Sequence, residues 1–301
     1  LSSRRYSDAI RLALSKAHGA GFPRAPFCRK ETPMNCRPRW LKAATTLGAF
    51  GFAIVLFLAA PAARAQNDDV VPADVKEVLG RMGKTLQAKD FSFQSDTLRA
   101  FVGGNGELLH IAHKTKIVAH RPDRLSLDIS GDDGATKILY DGKALVVFGG
   151  DRNEYGSIAV SGNLDEMLSA AETRFGFDMP LADFFTGDPA KSFLDGVTSG
   201  GQVGKVTIDG TPCRYFFFSQ APDLQLELWV EDNDKATPRR LIVTYLSLPG
   251  RPQFYAALSN WDFATTHDDA EFVFQPPAGA KQVELARRAG APQQSSQAPQ
   301  P

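Results

Sequence analysis

Between residues 75 and 86 the apolar side chains Val75, Val78, Leu79, Met82 and Leu86 recur at spacings of three and four, with Lys76, Glu77, Arg81 and Lys84 between them. That spacing lines one side of a helix and predicts an amphipathic helix with a single apolar stripe. Pro72 suits its first turn, where a missing N–H leaves no bond unmade. From Phe91 onward the period falls to two. "FSFQSDTLRAFV" leads to the glycine-rich turn Gly103-Gly104-Asn105-Gly106, and "ELLHIAHKTKIVAH" returns from it. "RLSLDIS" places Leu125, Leu127 and Ile129 on one face, Ser126 and Asp128 on the other. "ILYDGKALVVF", from Ile138 to Phe148, reads as two strands joined by Asp141-Gly142. That dipeptide predicts a type I′ turn, in which both central residues need positive φ.

A helical pattern interrupts the strands. Asn163 with Glu166 three residues later predicts a capping box, followed by Leu164, Met167, Leu168, Ala171 and Phe175 at helical spacing. Phe175, Phe177, Phe184, Phe185 and Phe193 then crowd a span broken by Pro180 and Pro189, which predicts two or three short, aromatic helices. The sheet resumes with a second Asp-Gly hairpin at Asp209-Gly210. "LQLELWVE" sets Leu224, Leu226, Leu228 and Val230 against Gln225, Glu227 and Trp229. "RRLIVTYLSL" and "PQFYAALSNWDF" follow. Short strands joined by tight turns predict an α+β fold built on an antiparallel sheet. A sheet this large must curl or be covered, and the N-terminal helix and the aromatic insert are the available covers.

The ends of the chain change the charge. Met34 is followed by Arg37, Arg39 and Lys42, by the apolar run "LGAFGFAIVLFLAA" (Leu47 to Ala60), and by Ala63-Arg64-Ala65. This is the pattern of an export signal cleaved after Ala65. The apolar run, about 14 residues, falls short of the ~20 a membrane span needs. Residues 1–33 are basic, lack periodicity and read as a non-native upstream extension; 34–65 read as signal peptide. Residues 70–285 read as a single domain, and 286–301, rich in Pro, Gln, Ala and Ser, as a disordered tail. The first 65 residues hold 11 of the 34 Lys+Arg and 2 of the 34 Asp+Glu, so the remainder has 23 basic and 32 acidic side chains, a net of −9. An acidic, exported chain is a poor partner for nucleic acid, whose phosphates call for concentrated positive charge. Cys28 and Cys36 leave with the signal, and Cys213 reads as a small buried hydrophobe.

Candidate chemistry is sparse. "SGGQVGKV" fails the phosphate-loop pattern at Ser199 and Val206, and no G-x-S-x-G elbow is present. His110, His113 and His120 lie on one strand, where the odd separation of the first two sends them to opposite faces, so no metal site is expected. Asp232-Asn233-Asp234 lacks the glycine and distant glutamate of a calcium loop and is explained by turn chemistry. Glu227 has no sequence partner for acid–base work. No catalytic residue, cofactor or metal is assigned.

With the elements in this order, the chain resembles the lipoprotein-carrier fold of LolA and LolB, shared by MucB/RseB-like domains. The pieces that carry the resemblance are "HRPDRLSLDI" (His120 to Ile129), "YDGKALVVF" (Tyr140 to Phe148), "LWVEDNDKATPRRLIVTY" (Leu228 to Tyr245) and "FVFQPPAGA" (Phe272 to Ala280). It is most similar to an uncharacterised bacterial family of predicted periplasmic proteins within that superfamily. The resemblance implies a strongly curved antiparallel half-barrel, lined by apolar residues and closed by helices. It also implies a periplasmic, non-catalytic protein that holds a lipid-like or acyl ligand. The alternatives are an envelope sensor that binds a membrane partner's periplasmic segment, and a hydrolase with carboxylates from separate strands. Leu125, Leu127, Ile129, Leu226, Leu228, Val243 and Tyr245 are expected to floor the cavity. Met167, Phe184 and Phe185 are expected to form its lid, with Trp261 near the rim. A cavity holding ten methylenes would offer about 8 kcal/mol before the costs of binding.

Overall fold

The computed structural model describes residues 70–285, except residue 178. The export-signal, cleavage-site and tail assignments lie outside the described residues. Helix α1 (Ala73–Leu86) buries Val75, Val78, Leu79, Met82 and Leu86, the stripe read from spacing. Two meanders follow. The first runs through β1 (Asp90–Val102), β2 (Leu108–His120), β3 (Arg124–Gly131), β4 (Gly134–Tyr140), β5 (Ala144–Gly149) and β6 (Glu154–Ala159). The second runs through β7 (Val197–Ile208), β8 (Thr211–Gln220), β9 (Leu224–Glu231), β10 (Pro238–Tyr245) and β11 (Gln253–Asp262). Antiparallel pairing of β1 with β11, Leu98 opposite Tyr255, joins them into one sheet. A two-residue strand, β12 (Lys281–Gln282), adds to β6 and is the sheet's parallel element.

The order β12-β6-β5-β4-β3-β2-β1-β11-β10-β9-β8-β7 leaves the sheet open. Laid flat at ~4.8 Å per strand, twelve strands would span on the order of 50 Å. Yet Leu145 and Ile158 from one end share a single core with Phe216 and Leu228 from the other. Both ends contribute to one continuous apolar face beneath the same cover, the concave side of a half-barrel. On the convex side Cys213 is fully buried beside Ile208 and Trp229.

The concave face is covered by α1 and the insert between β6 and β7. The insert comprises α2 (Leu164–Ala170), a π-helical turn (Ala171–Phe175), a 3-10 turn (Ala182–Phe184) and α3 (Pro189–Leu194). Asn163 and Glu166 form the expected capping box: the Asn163 side chain accepts from Glu166 N, and Glu166 accepts from Asn163 N. Helices α1 and α3 touch where Gly83 sits beneath Ala190. A Cβ at Gly83 would lie 2.8 Å from that of Ala190, so only glycine permits the approach.

The two Asp-Gly hairpins close differently. Asp209 and Gly210 both have positive φ, as a type I′ turn requires. At the first hairpin Asp141 pairs with Ala144, the loop is Gly142-Lys143, and of the four residues only Gly142 has positive φ. The Asp141 carboxylate accepts from the N–H groups of Lys143 and Ala144. The shift has a packing cause. It sets Leu145 opposite Tyr140 on the concave face, whereas a loop at Asp141-Gly142 would put Lys143 there.

Candidate functional site

The concave face is not hollow throughout. At its centre Phe93 stacks on Trp261 at 4.1 Å between ring centroids and lies 6.2 Å from Phe185. Phe184 stacks on Phe193 at 5.2 Å, and Phe185 faces Phe91 at 6.2 Å. Both Phe184 and Phe185 are fully buried. Their place in the chain explains this: the 3-10 turn drops two consecutive rings into the sheet, and Arg121 fastens it there. The Arg121 guanidinium donates to the carbonyls of Leu86 (3.1 Å), Phe185 (2.9 Å) and Phe184 (3.3 Å). Burial lowers its pKa, and the charge of Asp165 opposes that shift.

Space opens to one side of this aromatic core. A partly open cavity of about 150 Å³ lies between strands β3, β4 and β5 and the insert, lined by Leu125, Ile138, Leu145, Val147, Met167, Phe177 and Met179. Strand pairing builds its floor, since Leu125 is opposite Tyr140, Tyr140 opposite Leu145, and Ile138 opposite Val147. Met167 on α2, with Phe177 and Met179, forms the roof. Tyr140 pairs with Leu125 and Leu145, and its hydroxyl is engaged elsewhere: it donates to the carbonyl of Gly162 at 2.8 Å, and burial pushes its pKa up to about 12. Nothing polar points into the cavity from its lining side chains. A space of this volume is large enough for a benzene-sized group.

Of the residues expected from sequence, Leu125 and Met167 line this cavity. Leu127 and Ile129 continue the same face of β3 and pack against the core. Leu226, Leu228, Val243 and Tyr245 lie on the concave face of the other meander, in the filled part. Phe184, Phe185 and Trp261 form the aromatic centre, where the Trp261 indole donates to the carbonyl of Pro238 at 2.9 Å. The eight strand residues therefore share the concave face, Met167, Phe184 and Phe185 pack on it from the insert, and the eleven do not enclose one space. Ile138, Leu145, Val147, Phe177 and Met179 complete the cavity and were not singled out from sequence. The first three were legible by parity, because alternate residues of β4 and β5 must face the same way as Leu125.

The polar candidates sit elsewhere. A shallow cleft beside α2 carries Asp165 and Glu166, but their oxygens accept from Gly187 N and Asn163 N. Glu227 accepts from the hydroxyl of Tyr215 on the convex side. His110 is exposed, His113 meets Asp133 at 2.6 Å, and His120 meets Asp90 at 2.7 Å. Among the described residues no group of three or more His, Cys, Asp or Glu is placed to hold a metal. None of their helices is long and apolar enough to cross a membrane.

One titrating group belongs to the cover. Burial, with the charge of Asp195, raises the pKa of Asp183 in the 3-10 turn from 3.8 to about 6. A folded-state value above the unfolded one means the folded chain holds the proton more tightly. Stability attached to this group therefore rises as pH falls from about 7 toward 4, and is lost above about 6. Asp183→Asn is expected to raise stability at pH 7.5 by about 2 kcal/mol. It should also abolish the wild-type gain between pH 7.5 and 5. Urea midpoints of both proteins at the two pH values check this; parallel pH profiles would remove Asp183 as the cause.

No curated protein matches the sequence. Among solved structures, an uncharacterised conserved protein from Thermus thermophilus is similar at 11% identity and a TM-score of 0.43, covering 70% of this chain and 99% of its own. A LolA superfamily protein from Nitrosomonas europaea aligns at 11% identity and a TM-score of 0.35, covering 66% and 97%. LprF from Mycobacterium bovis aligns at 13% identity and a TM-score of 0.39, covering 65% and 96%. The family model described as "Predicted periplasmic protein (DUF2092)" matches residues 75–286, and the chain belongs to that family.

Proposed function

We propose that this is a non-catalytic periplasmic protein that holds one apolar chain end, of the kind carried by a lipid or an acylated molecule. The observation that carries the reading is the cavity between β3–β5 and the insert, whose seven lining side chains are all apolar. A site without a donor, acceptor or charge can select for shape and hydrophobicity and can do no acid–base chemistry. Its volume matches about six carbons. At ~0.8 kcal/mol per buried methylene, that is about 5 kcal/mol before the costs of association. The cavity is smaller than the ten-methylene space envisaged from sequence because Phe184, Phe185 and Trp261 fill the centre. The export signal and the family's description support a periplasmic location, with the mature chain starting at Gln66.

Native mass spectrometry of protein purified from the cell envelope without detergent checks both parts. The expected spectrum shows a chain beginning at Gln66 and a non-covalent adduct that organic solvent releases as an acyl-containing molecule. Ligand-free protein that also fails to bind an environment-sensitive fatty-acid probe would overturn the binding reading. A mass retaining Leu47–Ala60 would overturn the location.

A further inference from the structure

Val147 lines the cavity on its β5 side, and the next strand across is β6. On β6, Gly156 is paired with Val147 and faces the same concave side. Gly156 has no side chain to close the wall. Its place is taken by Leu285: a Cβ built on Gly156 would fall 2.3 Å from Leu285 Cγ and 2.5 Å from its Cδ2. Leu285 is half-buried and packs against the main core.

Leu285 reaches that spot on a strap. After β11 the chain forms a 3-10 turn, Asp269–Phe272, which buries Phe272 beside His120. Phe274 then lies against Phe148 and Tyr155, at 5.5 and 5.0 Å. Those residues are one step out of phase with Val147 and Gly156, so Phe274 is on the convex face. The strap rounds the sheet edge through two backbone bonds. Lys281 N donates to the carbonyl of Asn153 (2.9 Å) and Val283 N to that of Tyr155 (2.8 Å). It thereby delivers Leu285 to the concave side. Apart from these bonds and one from Asn153 Nδ2 to the carbonyl of Ala278 (3.2 Å), the hold along this edge is light: β12 has two paired residues, and Lys281 to Glu284 are exposed.

We infer that Leu285 is the chain-length gate of the cavity: seated on Gly156 it limits the bound chain to the space lined by Val147, and strap release at β12 admits a longer one. The gate rests on the apolar-ligand reading above and adds to it which residue sets ligand length. Across the concave face from Val147 toward β6, an alkyl chain would extend into the volume Leu285 occupies. The Gly156–Leu285 contact gives that volume a removable wall rather than a fixed one.

The test uses straight-chain carboxylates of increasing length, from about six to about sixteen carbons, titrated calorimetrically into the mature chain. Affinity should rise about fourfold per added methylene and then level off once the cavity is full. In Leu285→Ala the plateau should move outward by two or three carbons, giving about fifteen- to sixtyfold tighter binding of the longer chains. Hydrogen exchange supplies a second readout that needs no variant. The Lys281 and Val283 amides should exchange faster with the long carboxylates bound and unchanged with the shortest that binds. If wild type and Leu285→Ala level off at the same length and the strap amides ignore chain length, the gate is wrong while the ligand reading stands. If no carboxylate binds either protein, the ligand reading itself fails and the gate falls with it.

Discussion

Replacing Arg121 by methionine is expected to remove about 3–5 kcal/mol of folding stability, because hydrogen bonds to a charged group contribute ~1.5–3 kcal/mol each and act here as a set. The guanidinium links three elements distant in sequence: the C-terminal end of α1 through Leu86, the 3-10 turn through Phe184 and Phe185, and the β2–β3 connection to which Arg121 belongs. It also lies 5.7 Å from the centroid of Phe91. Methionine keeps the aliphatic packing but leaves three carbonyls without their donor. Arg121→Lys keeps the charge, yet a single ammonium cannot serve three divergent carbonyls as the planar fork does, so it should restore less than half of the loss. Guanidinium chloride unfolding followed by tryptophan fluorescence reads this directly, since Trp261 stacks within the cluster that Arg121 fastens. A methionine variant that unfolds at the wild-type midpoint would show that the aromatic packing holds the insert unaided.

What the sequence revealed and what it hid follow the range of the interactions. Helix α1 and the Asn163–Glu166 capping box depend on residues three or four apart, so spacing exposes them. The strands were legible by alternation. The β1–β11 pairing was not, because it joins Leu98 to Tyr255 across most of the domain, and no local pattern specifies such a closure. The same holds for the cavity. Leu125 and Met167 could be chosen as apolar residues of a strand and a helix, but whether space remains between them depends on where five phenylalanines settle. Phe184 and Phe185 entered the core while Phe177 stayed at the roof of the gap. That division comes from Arg121 and the 3-10 turn, neither of which the hydrophobic pattern marks. Asp141 shows a finer limit: its dipeptide matches that of Asp209-Gly210, but the need to set Leu145 opposite Tyr140 moved the turn by one residue.

Two bulky substitutions on the same concave face are expected to behave in opposite ways. Val147→Phe places a ring where the lining leaves space, so folding stability should stay within about 1 kcal/mol of wild type. Binding of a fatty-acid probe should weaken at least about a hundredfold, since most of the ~5 kcal/mol of chain burial has nowhere to occur. Leu226→Trp enlarges a residue that sits opposite Phe218 and Val243 in the filled half of the face. Overpacking there should cost about 1–3 kcal/mol of stability and leave the affinity of the remaining folded protein nearly unchanged. The pair separates a cavity from a merely apolar face, because a uniformly packed core would be destabilised by both changes and a continuous groove would lose binding through both. Thermal melts and probe titrations on the two variants decide it. Val147→Phe with unaltered probe affinity would place the ligand outside the β3–β5 cavity. A Leu226→Trp protein of wild-type stability would mean that the second meander also leaves room beneath the insert.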